Sequence, residues 1–143
     1  MIQIRRSALV RHTPQQMFDL VNDVAAYPTR FAWCSAAHLL EQHADSLVAR
    51  LDLRMAGITQ SFTTRNAMRS PSRIDMQFVD GPFKTLQGTW SFSALGEAGC
   101  KVALALDFET SNRLLGAALQ VGLKGLADRM VDDFCRVANE LHG

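Results

Sequence analysis

The stretch Val79-Asp80-Gly81-Pro82-Phe83-Lys84-Thr85-Leu86-Gln87-Gly88-Thr89-Trp90 joins two strand-like runs through a glycine-proline turn. Large apolar residues alternate on both sides of that turn, at Ile74, Met76, Phe78, Leu86, Trp90 and Phe92. Successive side chains of a strand point to opposite faces, so this spacing predicts a hairpin with one apolar face. Gly88 lies between bulky neighbours on that face, where the missing side chain leaves room for a ligand. The same alternation is also typical of an ordinary sheet core.

The chain around this hairpin is β-like from about Ala36 to Glu109, and residues 2 to 10 form an earlier strand. Turn-forming residues divide the β-like region at Ala56-Gly57, at Ser70-Pro71-Ser72 and between Gly96 and Gly99. Successive short connections of this kind predict an antiparallel meander.

Helices are predicted at both ends of the meander. Thr13, Pro14 and Gln16 have the spacing of a capping box with proline at the first helical position, and the helix should run to about Val21. A short restart after Asp23 should end at Pro28.

A final helix of almost thirty residues should be capped by Ser111 or Asn112 and end before Gly143. Its apolar stripe comprises Leu115, Leu119, Leu123, Leu126, Met130, Phe134, Val137 and Leu141. Small residues, including Gly116, Gly122 and Gly125, remove bulk from its N-terminal part. The elements together predict an α+β helix-grip domain over residues 1–143, in which a curved antiparallel sheet of about seven strands grips the long helix and two short helices follow the first strand.

Composition bounds the class of protein. The chain has 143 residues and a formal net charge of +1, which fits one domain and gives no overall bias toward nucleic acid or anionic membranes. Three cysteines without CxxC spacing and a strand that begins at Ile2 favour a reducing, cytoplasmic location. The apolar-rich stretch from Leu114 to Ala127 is too short to span a bilayer, so any membrane contact should be peripheral.

Several segments carry a resemblance to a known family. They are Met17-Phe18-Asp19-Leu20-Val21-Asn22-Asp23-Val24-Ala25-Ala26-Tyr27-Pro28, Trp33-Cys34-Ser35, the central hairpin and Ser111-Asn112-Arg113-Leu114-Leu115-Gly116. Together they resemble the coenzyme Q-binding family of START-like domains over almost the whole chain. The members of that family include mitochondrial ubiquinone-binding proteins and a bacterial ribosome-association toxin.

The resemblance implies the helix-grip fold and three functions. The first is non-enzymatic binding of ubiquinone or a similar isoprenoid lipid in an apolar cavity, in support of respiratory quinone function. The second is association with the large ribosomal subunit and interference with subunit joining. The third, an aromatase/cyclase-like enzyme, is implied by distant relatives and would need a buried acid–base group.

Candidate ligand-binding residues follow from strand parity and helix position. The predicted lining comprises Phe62, Phe78, Trp90, Leu106, Phe108, Leu115 and Leu119. Three aromatic residues, Tyr27, Phe31 and Trp33, could rim the cavity mouth or pack in the core, and the pattern leaves both open.

Polar candidates are few. Gln60, Thr64 and Asn66 have inward parity, so they could bond a quinone oxygen or one another, although a bulge would reverse that parity. Outward Arg50, Arg54 and Arg65 could contact ribosomal phosphates or pair with carboxylates such as Asp52. Asp107 and Glu109 share a face that should be solvated.

Motifs for other chemistries are missing from the sequence. It has no HExxH, GxSxG, Walker or GxGxxG motif, and its four histidines have no metal-ligand spacing. We therefore expect neither a metal nor a cofactor.

Overall fold

A computed structural model describes residues 1–55, 57–97, 99–110 and 113–143, except for the side chains at positions 113 and 115. The described residues form one seven-stranded antiparallel sheet in the order β1-β7-β6-β5-β4-β3-β2. The strands are β1 Ile2–Val10, β2 Cys34–Gln42, β3 Ser46–Met55, β4 Ile58–Arg69, β5 Arg73–Asp80, β6 Thr85–Leu95 and β7 Gly99–Glu109. The predicted meander and the helix-grip arrangement are confirmed.

Two short helices follow β1, namely α1 (Pro14–Asn22) and α2 (Tyr27–Arg30), with a 3₁₀ turn at Val24–Ala26 between them. The capping box is confirmed, since Thr13 Oγ1 accepts from the Gln16 N–H and Gln16 Oε1 accepts from the Thr13 N–H. The predicted stop at Pro28 is wrong. Proline lies in the first turn of α2, where its missing N–H would have no helical partner in any case, so it starts a helix there.

The long helix α3 runs from Arg113 to His142 and lies on one face of the sheet. Most of its predicted stripe is buried, but Leu141, near the C-terminal end of the helix, is exposed. The predicted caps Ser111 and Asn112, like Ala56 of the turn before β4, lie outside the described residues.

The hairpin between β5 and β6 is confirmed, and its turn depends on Gly81. This glycine has a φ of +148°, and a Cβ there would lie 3.0 Å from Phe78 Cε1 and 3.1 Å from the Ser61 carbonyl oxygen. Only glycine fits that combination of backbone angle and close approach.

Candidate functional site

An apolar cavity lies between the inner face of the sheet and the middle of α3. Its volume is about 90 Å³. The lining residues are Leu51, Leu53, Phe62, Thr64, Met76, Phe83, Leu86, Gly88, Trp90, Leu104, Leu106, Leu123, Leu126 and Met130. The site can therefore take a hydrocarbon group, yet its volume falls below the roughly 300–1,000 Å³ of typical ligand pockets. Side chains must move before a large ligand can enter.

The divergence of β5 and β6 creates the end of this cavity. The two strands pair from Arg73↔Ser91 to Gln77↔Gln87, after which Phe78 pairs with β4 and Leu86 pairs with β7. A side chain from the turn between β5 and β6 fills the space between the separated strands.

Phe83 inserts from the turn into the opening between β5 and β6. Its ring is buried and lies 5.3 Å from Phe62, 5.3 Å from Phe108 and 5.9 Å from Phe78 between centroids. Phe83 thus closes one end of the cavity with a side chain from a loop.

Gly88 gives the sheet side of the cavity its shape. A Cβ at this position would lie 2.5 Å from Met76 Cε and 2.8 Å from Leu106 Cδ2. The space that the sequence predicts above Gly88 is thus partly filled by two flexible side chains. Both can move aside, since each approaches with its far end.

One polar side chain, Thr64, belongs to the described lining. Its hydroxyl donates to Asn66 Oδ1 at 2.9 Å, so of the two alternatives for these residues the structure shows mutual hydrogen bonding. Thr63, whose parity is opposite to that of Thr64, is also buried, beside a register shift between the two residues in the pairing with β5. The hydroxyl oxygen of Thr64 retains the capacity to accept a further hydrogen bond.

Acid–base groups do not line the cavity within the described residues. The phenol of Tyr27 is buried outside the lining, and its OH donates to the Val21 carbonyl. Burial raises the pKa of Tyr27 far above its usual range, so this phenol stays protonated. Asp107 accepts from Arg5 at 2.8 Å on the outer face, away from the cavity.

Three predicted lining residues, Phe62, Trp90 and Leu106, do line the cavity. Phe78 and Phe108 instead pack against Phe83, one layer away. On α3, the predicted lining residue Leu119 is buried but does not line the cavity. The side chain of Leu115 lies outside the described residues.

The predicted rim residues Tyr27, Phe31 and Trp33 lie in the core. They surround Phe134, with centroid distances of 5.5, 4.8 and 5.9 Å respectively, and none belongs to the lining. Trp33 Nε1 donates to Asp133 Oδ2 at 2.9 Å. The polar tips of Tyr27 and Trp33 find protein partners, so nothing keeps these rings at a solvent-facing mouth.

Sequence reasoning missed most of the lining. Strand register would have found Met76, Leu86 and Leu104, which have the parity of the inner face. Helical spacing would have found Leu123, Leu126 and Met130 on the buried side of α3. Phe83 gives no periodic signal because it lies in a turn.

The three outward arginines differ in their partners. Arg50 Nε lies 3.4 Å from Asp52 Oδ1, and Arg65 Nη2 lies 3.6 Å from Glu41 Oε2. Arg54 instead contacts the Ala32 carbonyl oxygen through Nη1 at 3.3 Å. Pairing with carboxylates therefore holds for two of them.

The described residues contain no group of three histidine, cysteine or acidic side chains placed to hold a metal ion. Among them, too, no helix is long and apolar enough to cross a membrane.

Residues 10–135 of the chain match a known family, described as polyketide cyclase / dehydrase and lipid transport. The chain belongs to this START-like family. The sequence is 46% identical over 143 residues to a Vibrio cholerae protein named ribosome association toxin RatA, covering 100% of this chain and 99% of that one. It is 42% identical over 142 residues to the protein of that name from Escherichia coli, covering 99% of this chain and 90% of the relative.

A solved structure shares the fold at low identity. The aromatase/cyclase Zhui of Streptomyces sp. R1128 superposes with a TM-score of 0.90 at 16% identity, covering 96% of this chain and 93% of that one. This likeness supports the helix-grip fold alone.

Proposed function

We propose that this protein associates with ribosomes. The observation that carries the proposal is the 46% identity, over the full chain, to a relative named ribosome association toxin. In finer terms, we propose that it binds the large subunit, interferes with subunit joining and acts in the cytoplasm, as the family resemblance implies. Near-zero net charge means that a local surface must make the contact.

Arg54 is our candidate for that contact. It is exposed on the outer face of β3 and its guanidinium lies on a carbonyl oxygen, so its charge is free of a carboxylate among the described residues. Arg50 and Arg65 would first have to exchange a carboxylate for a phosphate.

Cosedimentation with ribosomes at low and moderate salt tests the proposal. We expect the parent protein to enter the ribosomal fractions, more strongly at low salt. Arg54→Glu should weaken this binding, whereas Lys101→Glu, which changes an exposed lysine on β7, should not. Absence of the parent from ribosomal fractions at low salt would refute ribosome association.

We also propose that the cavity binds an apolar lipid, with ubiquinone or a similar isoprenoid as the specific candidate. A lining of aliphatic and aromatic side chains with one hydroxyl supports this, because each buried CH₂ group contributes about 0.8 kcal/mol. Thr64, whose proton is donated to Asn66, can accept a hydrogen bond from the hydroxyl of a reduced quinol. Lipid binding and ribosome association use different surfaces, so one protein can do both.

Native mass spectrometry of the purified protein, followed by titration with a short-chain ubiquinone, tests lipid binding. We expect a copurified or added lipid at one site per chain, and Leu106→Asp should abolish it while Ser93→Asp, on the outer face, should not. A parent protein that neither carries nor takes up a quinone would refute the ubiquinone proposal.

We infer that the site binds its ligand without transforming it. The described lining offers no group of suitable pKa to donate or abstract a proton, which an aromatase or cyclase would need. Recovery of the bound lipid unchanged after prolonged incubation is the expected result.

A further inference from the structure

The first half of α3, residues 113–127, exposes an apolar stripe on the side away from the core. Leu114, Ala118 and Val121 follow one another at helical spacing, and Ala117 lies beside them. The side chain of Leu114 is 87% exposed and that of Val121 is 69% exposed. Large apolar residues arranged as a stripe indicate a contact surface, whereas single exposed ones are ordinary.

Cationic side chains accompany the stripe. Lys124 is exposed along one edge, and Arg129 Nη1 lies 3.6 Å from the position of a Cβ on Gly125, at the C-terminal end of the stripe. Neither cation pairs with a carboxylate among the described residues. By sequence, residues 113–129 contain three basic residues and one acidic residue, Asp128, whose carboxylate pairs with Arg6.

We propose that this surface, which we call the α3 stripe (Leu114, Ala117, Ala118, Val121 and Lys124, with Arg129 at its end), docks on an anionic lipid bilayer. An apolar helix face flanked by basic residues lies in the membrane interface, with the apolar side chains at the acyl boundary and the cations at the headgroups. The opposite side of the same helix half supplies Leu123 and Leu126 to the cavity. The docked helix therefore lies between the bilayer and the lipid-binding site.

Two other occupants fit the stripe less well. Ribosomal RNA would use the cations but would leave the exposed leucine and valine in contact with phosphate and water. A second copy of the chain would bring a second set of the same cations, Lys124 and Arg129, into one two-fold interface. A bilayer satisfies both the apolar and the charged parts. This proposal rests on the proposed lipid binding, because the bilayer would supply the lipid that the cavity takes up.

Flotation of the purified full chain with vesicles tests the docking. One set contains phosphatidylcholine alone and the other also contains anionic phosphatidylglycerol. We expect the parent to float with the anionic vesicles, and to lose most of that binding at high salt or without the anionic lipid. A parent that floats with neither set overturns the proposal.

Matched variants locate the surface. Val121→Asp places a carboxylate in the proposed interface and should reduce vesicle binding by about tenfold or more. Leu9→Asp makes the same charge change at a leucine that is 74% exposed on the outer side of β1, and should bind vesicles as the parent does. Equal loss in both variants would overturn the assignment. If Val121→Asp folds poorly, Lys124→Glu provides the same test through charge.

Quinone titration and ribosome cosedimentation separate this proposal from the proposed functions. Val121→Asp should still bind a short-chain ubiquinone added from solution and should still cosediment with ribosomes. Retention of both with loss of vesicle binding supports docking. Loss of quinone binding as well would mean that the stripe belongs to the cavity. Loss of ribosome binding, or dissociation of a dimer in sedimentation velocity, would mean that RNA, protein or a second copy covers it, and each result overturns docking.

Discussion

The two halves of α3 belong to one continuous helix but have different surroundings. The second half, residues 128–142, carries Phe134 into a cluster of four aromatic rings that includes Tyr27 and Trp90. On its exposed side, Arg136 pairs with Asp133 at 3.5 Å and with Glu140 at 3.0 Å. The first half covers a cavity and exposes apolar side chains together with Lys124, which pairs with no carboxylate among the described residues. One element thus combines a part that stabilises the fold with a part available for binding.

The largest expected effect lies in the second half. Phe134→Ala should lower the free energy of unfolding by about 3–5 kcal/mol, because a fully buried ring leaves a hole among rings that cannot collapse. Leu123→Ala in the first half should cost less, about 2 kcal/mol, since Leu123 already borders empty space. Urea denaturation of both variants measures the difference. Equal losses would contradict the division of the helix.

Phe83→Ala should have the next largest effect and lower the free energy of unfolding by about 3 kcal/mol. This is the lower end of the usual range for a buried phenylalanine, because Phe83 already borders a cavity. It should also enlarge the cavity and tighten binding of a short-chain ubiquinone. The comparison is Phe78→Ala, which removes a neighbouring ring outside the lining. Weaker quinone binding in Phe83→Ala would mean that this ring contacts the ligand and does not merely occupy its space.

Gly88→Ala should change ligand binding more than stability. The added methyl group would push the ends of Met76 and Leu106 into the cavity, at a cost of about 1 kcal/mol. Quinone binding should fall because the remaining volume shrinks. Ser93→Ala, on the outer face of the same strand, is the control for titration and melting. If Gly88→Ala binds quinone like the parent, the ligand lies elsewhere.

The sequence predicted the elements better than the site, and the reason is geometric. Capping chemistry at Thr13 and alternation along β5 and β6 are local signals, so they give the bounds and the inward face directly. The position of the cavity depends on where the curved sheet separates from α3, which no local period records. Of the predicted lining on α3, Leu119 is buried outside the cavity, whereas Leu123 and Leu126 line the space.

Aromatic residues near the first helices show the same limit. Tyr27, Phe31 and Trp33 offer equal signals for a rim and for a core, and only their proximity to Phe134 across about a hundred residues decides for the core. Pro28 is ambiguous in another way, since proline is compatible both with the end and with the first turn of a helix. Contacts distant in sequence settle each of these ambiguities.

The smallest expected effect concerns Cys34, which lies beside the aromatic cluster of the second half. The thiol is buried and donates to the Ala36 carbonyl oxygen at 3.3 Å. Burial raises the pKa of Cys34 to about 11 from an ordinary 9.0. Between pH 9 and about pH 11, the Cys34 thiol therefore keeps its proton in the folded state but has lost it in the unfolded state. The stability that this provides is complete below pH 9 and is lost progressively as the pH rises from 9 toward 11.

The rate of alkylation by iodoacetamide at pH 8 to 9 compares how well the surroundings of the two helix halves protect a thiol. Cys34 should react far more slowly than a free thiol, because the thiolate is the nucleophile and the folded protein holds the thiol protonated and covered. Val121→Cys places a thiol on the exposed side of the first half and should react at an ordinary rate. If Cys34 in the folded protein reacts as fast as the introduced cysteine, the region packed against the second half opens readily. In that case the contrast in packing between the two halves would not extend to their dynamics.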